Sequence, residues 1–136
     1  MNPKHAKEAA KTALRMHESL QQHVFQKGFS ALVSPTVATT RIPAAFDPTS
    51  DGLVINGKTL DPYAGWFLTS VFSLLNWYPV INVPAGRTSN GLPTGFQVAA
   101  APYDDITAAA VASAYSAAAP AFFAPSSRPD FEAALN

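Results

Sequence analysis

The chain has no cysteine, which excludes disulfides and thiolate metal sites. Charge is scarce: 13% of the 136 residues are Asp, Glu, Lys or Arg, about half the usual share of a soluble domain. The nine basic and nine acidic residues cancel, so no polyanionic partner such as nucleic acid is implied. No apolar run reaches the ~18 residues that cross a bilayer. The N-terminus lacks the apolar stretch of a secretory leader, and Glu8 and Glu18 disfavour a transit peptide. A soluble cytoplasmic setting is expected, with no membrane association and no cofactor.

Nearly half of the chain is hydrophobic (48%), including nine Phe and two Trp. With so few charges, such a chain has apolar surface to cover. That favours self-association or a larger polypeptide partner. Positive charge gathers at the start. Lys4, Lys7, Lys11, Arg15 and Lys27 face only Glu8 and Glu18 across residues 1–28. A solvated helix face accounts for that excess.

Asn2 and Pro3 form a cap-and-proline helix start. Ala6, Ala10, Ala13, Leu14, His17, Leu20, Gln21 and Val24 recur at helical spacing, and Gly28 is a natural stop. Phe29 to Val33 is expected as a buried strand. Residues 37–60 read as loop, with a small hairpin around Asn56-Gly57 pairing Leu53–Ile55 with Lys58–Leu60. Asp61-Pro62 repeats the helix start, and Trp66, Phe67, Ser70, Val71, Leu74 and Leu75 extend an apolar helix to about Tyr78-Pro79. Val80 to Val83 is a core strand closed by Pro84-Ala85-Gly86. Residues 87–94 turn the chain into a partner strand, Gly95 to Ala100. Asp104 or Asp105 caps a third, alanine-rich helix from about Ile106 to Ala118.

The resulting fold class is α/β, with about three core strands flanked by three helices in a single domain over residues 1–120. Residues 121–136 form a proline-broken apolar tail, whose Phe122, Phe123, Phe131 and Leu135 are expected to dock on the body or on another chain.

The chemistry-bearing residues are sparse. His5, His17 and His23 share no face at i, i+4 spacing and have no carboxylate pair, so no metal site is read; His17 belongs to the packed stripe. Asp104-Asp105 is a helix cap. Gly86, Gly91 and Gly95 lack a following Gly-Lys-Ser/Thr and suit hairpin turns. No Gly-x-Ser-x-Gly elbow occurs. Ser126-Ser127 lies between prolines, outside any glycine-rich oxyanion loop. Lys58 sits in a turn that gives no reason for a lowered pKa. No catalytic residue is assigned.

Three motifs nevertheless stand in a suggestive order. Phe29-Ser30-Ala31-Leu32-Val33-Ser34-Pro35-Thr36 is similar to an Asp-x-Leu-x-x-Pro-Thr strand, with Ser30 in the aspartate's place. Pro79 to Gly86 is similar to Pro-Ala-x-x-Val-Pro-x-Gly, with Trp77-Tyr78 where a glycine often precedes it. Gly91-Leu92-Pro93, Gly95 and Gln97 match Gly-Leu-Pro-x-Gly-x-Gln. An acidic residue and a terminal helix follow. Over roughly residues 20–120 the chain thus resembles the C-terminal portion of the amidase signature family, whose members include glutamyl-tRNA(Gln) amidotransferase components. The resemblance implies a piece that completes a large mixed sheet and walls the substrate pocket of an amide hydrolase. The family's Ser–cis-Ser–Lys relay lies in a glycine/serine-rich core and a preceding segment that this chain does not contain. Such a piece is expected to be inactive alone. Pro35, Thr36, Trp66, Trp77 and Tyr78 are the candidate pocket wall. The alternative is a stand-alone small-ligand-binding or oligomeric structural protein derived from an amidase.

Overall fold

A computed structural model describes residues 3–124 and residue 126. Asn2, Ser127, Phe131 and Leu135, named in the sequence analysis, lie outside the described residues.

The first helix, α1 (Pro3–His23), is followed by a single 3-10 turn at Phe25–Lys27. Gly28 then takes a left-handed conformation (φ 85°). The Gly28 N–H bonds the Phe25 carbonyl, and the Phe29 N–H bonds that of Val24, so both residues are consumed in ending the helix. For that reason the first strand, β1 (Ala31–Pro35), starts two residues later than the apolar run suggested, and Phe29 is left 63% exposed.

Residues 37–60 include the expected hairpin. Strands β2 (Leu53–Ile55) and β3 (Lys58–Leu60) pair across Asn56-Gly57, both at positive φ. Before it, the Asp47 carboxylate accepts from the Thr49 hydroxyl and N–H, and these bonds hold it below the ordinary carboxylate range. Their contribution to the turn is present above about pH 3.9 and is lost as pH falls below that.

The helix expected from Asp61 is largely absent. The Asp61 carboxylate does accept the N–H groups of Tyr63 and Ala64, making one turn. The backbone of residues 66–68 is then taken by the segment after β1. The Ala38 N–H bonds the Trp66 carbonyl, the Leu68 N–H bonds the Thr36 carbonyl, and Val37 bridges Phe67. Only Ser70–Leu74 (α2) is helical. A long-range pairing here overrides a local apolar pattern that aromatic residues had made only moderately helical.

Strands β4 (Val80–Arg87) and β5 (Pro93–Ala100) form a hairpin, and the sheet order is β1-β5-β4, antiparallel throughout. Pro84-Ala85-Gly86 does not close β4; a register shift between Pro84 and Gly86 bulges the strand, which continues to Arg87. The last helix, α3 (Asp105–Ala118), is capped by Asp104, whose carboxylate accepts the Thr107 N–H at 3.1 Å. Replacing Asp104 with Ala removes that acceptor and is expected to cost about 1 kcal/mol in chemical denaturation.

Alternation along the strands sends side chains to two faces. On one face Ala99, Val80 and Leu32 meet α1 and α2 in a cluster built on Leu75, Tyr78 and Phe72. On the other, Val98, Val83, Ile81 and Phe96 meet Val111, Ala112 and Tyr115 of α3, with Phe123 closing the cluster. Helices therefore cover both faces, as an α/β fold requires. Ala108 and Ala112 are the buried residues of α3, so its small side chains bring the helix close to the sheet.

Candidate functional site

The register places Ser34, Gln97 and Asn82 in one row across β1, β5 and β4, on the face beneath α2. This is the polar rung of an otherwise apolar surface. Gln97 is 1% exposed and is the buried polar residue of the described core. Its amide nitrogen donates to the Pro35 carbonyl at 3.0 Å, the Ser34 hydroxyl at 3.3 Å and the Leu68 carbonyl at 3.4 Å. One side chain thus ties the end of β1 to the segment leading into α2. Beside it, Thr36 donates its hydroxyl to the Gly95 carbonyl at 3.1 Å. A Cβ on Gly95 would sit 3.1 Å from the Val83 carbonyl oxygen, so the close strand approach here suits glycine.

Two clefts open on this face, on either side of Phe72. One, about 390 Å³, lies between α1, β1 and α2 and is lined by Met16, Leu20, Leu32, Leu68, Val71 and Phe72, with Ser19 and Ser34. The other, about 330 Å³, lies over the polar rung and is lined by Thr69, Ser73, Asn76, Asn82 and Gln97 with Phe72, Tyr78 and Val80. Neither lining contains a carboxylate, lysine, arginine or histidine. Ser34 bonds the Gln97 amide and Ser73 the Thr69 carbonyl, so neither hydroxyl meets a base that could activate it. The clefts can bind and orient a neutral group; they hold no nucleophile–base pair.

The five sequence-derived wall residues fall into separate places. Pro35 and Thr36 stand at the end of β1 beside Gly95 and Gln97. The Trp66 ring lies tilted against that of Phe67, with centroids 4.1 Å apart, in the strand-like segment that pairs with residues 36–38. Trp77 and Tyr78 face α1 instead. The Trp77 ring meets the edge of His17, and the buried Tyr78 hydroxyl pairs with His17 Nδ1 at 2.9 Å and receives the Gln21 amide at 3.2 Å. His17 is thereby a packed, half-buried residue of the α1 stripe. Of the five, Tyr78 lines a cleft. Among the described residues no group of three or more His, Asp or Glu is placed to hold a metal ion, and no helix is long and apolar enough to cross a membrane.

In the sequence Gln97 stands out only as a motif position, and no motif marks Phe72, Ser73, Asn76 or Asn82 as cleft residues. The available signal was a glutamine in the middle of the run Gly95-Phe96-Gln97-Val98-Ala99-Ala100. A polar residue there is retained only when its hydrogen bonds are met.

No protein-family model matches the chain. Among curated proteins, an acylamidase from Rhodococcus erythropolis is 38% identical over 78 residues, which is 56% of this chain and 15% of that protein. A glutamyl-tRNA(Gln) amidotransferase component from Beijerinckia indica is 34% identical over 109 residues, 78% of this chain and 20% of the relative. The crystal structure of a bacterial aryl acylamidase of the amidase signature family superposes with a TM-score of 0.69 at 27% identity, over 87% of this chain and 24% of that one. The chain is an amidase-signature-like segment. It is related to amidase-like hydrolases and spans between 15% and 24% of the lengths of these proteins. Its amidase-like α/β fold carries the polar rung and the two clefts.

Proposed function

We propose that this chain is the C-terminal portion of an amidase-type enzyme acting on carbon–nitrogen bonds, cytoplasmic, and dependent on a larger catalytic polypeptide. It contributes strands to the sheet and wall to the substrate pocket, and it does not hydrolyse amides alone. The observation that carries this reading is the contrast between fold and chemistry: a backbone similar to about a quarter of an aryl acylamidase holds clefts without an activated nucleophile. The order of the Pro-Thr, Pro-x-x-x-x-Pro-x-Gly and Gly-Leu-Pro-x-Gly-x-Gln motifs supports the C-terminal placement.

The test uses the purified chain, a fluorophosphonate probe and an acyl anilide. Neither serine labelling nor anilide hydrolysis is expected from the chain by itself. Coexpression with an acylamidase lacking the matching segment is expected to restore hydrolysis. Stoichiometric labelling of a serine in the isolated chain would overturn the reading.

A second reading, binding without turnover, is favoured by the apolar cleft of about 390 Å³, which α1, β1 and α2 build from this chain alone. Thermal stabilisation by anilides without product formation would support it.

A further inference from the structure

We propose that the outer edge of β4 pairs with the same edge of a second copy of this chain, through a short two-fold strand junction centred on Ile81. The hydrogen-bond parity of the sheet fixes which groups are available. Val80 lies opposite Ala99, and the Ala100 N–H bonds the Pro79 carbonyl at 3.2 Å. Antiparallel strands alternate bonded and non-bonded pairs. Ile81 and Val83 therefore spend their backbone groups on β5, while Val80, Asn82 and Pro84 direct theirs outward. The other side of the sheet agrees: the Thr36 N–H bonds the Gly95 carbonyl, so alternate β5 residues serve β1.

Among the described residues no strand pairs with this outer side. Pro84 has no N–H, and the Pro79 carbonyl is already used, so the open window is Val80 to Asn82. That window is self-complementary. Val80 of one copy opposite Asn82 of the other exchanges two main-chain bonds, and the two-fold repeats them, giving four in all. Ile81 then lies opposite its symmetry mate on the α3 face, where it is half-buried against the apolar cluster. The side chain of the second copy's Val80 would lie beside Asn82, where the cleft of about 330 Å³ leaves room. The Asn82 and Asn76 side chains bordering that cleft have no hydrogen-bond partner among the described residues.

The β1 edge is the poorer choice. It also directs alternate residues outward, at Ala31, Val33 and Pro35, but a junction there would centre on Leu32. That residue lies on the face roofed by Met16 and Leu20 of α1, so two copies would crowd their helices together. Three residues per strand bury little area, so the association is weak and concentration-dependent.

The absence of cysteine makes the test direct. Non-bonded antiparallel pairs bring Cα atoms to about 4.5 Å, within disulfide range. Ile81→Cys is expected to form a disulfide-linked dimer under mild oxidation, and Val33→Cys is not. In sedimentation velocity, Asn82→Pro removes an outward N–H and spares the β5 ladder. It is expected to weaken self-association by about tenfold or more, because two of the four bonds go. A chain that stays monomeric at every concentration would overturn the proposal, as would equal cross-linking at Val33 or association unchanged by Asn82→Pro. Circular dichroism of each variant establishes that it is folded; should Asn82→Pro not fold, the cross-linking pair decides. The proposal does not rest on the amidase reading, whose own assay is serine labelling and hydrolysis.

Discussion

Replacing Gln97 with Glu is expected to be the most destabilising single conservative change in this chain. The amide nitrogen of Gln97 is the donor for the Pro35 and Leu68 carbonyls and the Ser34 hydroxyl. A carboxylate at that position donates nothing and directs negative charge at two carbonyl oxygens in a site that is 1% exposed. An uncompensated buried charge of this kind costs about 3–5 kcal/mol. The sign of the pH dependence follows. The protonated carboxyl can donate to one carbonyl, and burial penalises the charged form, so the folded-state pKa of the introduced glutamate rises above its unfolded value. The variant therefore recovers part of its stability as pH falls toward about 4.3, and loses it as pH rises through the folded value. Gln97→Leu removes the donors without adding charge; its cost is about 2–3 kcal/mol for carbonyls left unpaired, with no pH dependence of its own. Urea denaturation of the three proteins at pH 4.5 and pH 7.5 measures all of this. Equal losses for Glu at both pH values would contradict the role assigned to the amide.

Leu75→Ala is the second large effect. Leu75 ends α2 and is fully buried among Ala13, Phe72, Tyr78 and Ala99. Removing three carbons from a packed site costs about 2–5 kcal/mol, the upper end applying where the surroundings cannot collapse. Here the neighbours come from α1, α2, β5 and the turn before β4, and the rigid rings of Phe72 and Tyr78 resist relaxation. The expected result is a fall in the denaturation midpoint with an unchanged m-value. Val71→Ala, on the same short helix but 40% exposed, should cost well under half as much. Similar losses at the two positions would mean that the cluster around Leu75 is not the core of this face.

Both experiments concern the face that carries the polar rung, and the clefts there are formed by the same residues that stabilise it. Phe72 illustrates this coupling: it packs on Tyr78, at a ring separation of 6.4 Å, and borders both clefts.

Local chemistry in the sequence determined much of this structure. Gly28 ends the 3-10 turn that follows α1 because its left-handed conformation lets two N–H groups cap the preceding carbonyls. Asn56-Gly57 makes the small hairpin because both residues accept positive φ. Asp104 starts α3 because its carboxylate reaches the Thr107 N–H. Each signal acts within a few residues of its cause. The ordered motifs around Pro35, Pro79 and Gly91 likewise made the amidase resemblance readable from the chain itself. What lay beyond reach were outcomes decided by distant partners. Residues 66–68 leave the helix that Asp61-Pro62 begins because residues 36–38 capture their backbone. Trp77 and Tyr78 turn toward α1, where they meet His17 and Gln21 across more than fifty residues. Gln97 becomes a clamp only once β1 and the α2 approach converge on it. A hydrogen bond between segments so far apart carries no periodic signature, because its energy is realised only when the sheet has brought both ends together.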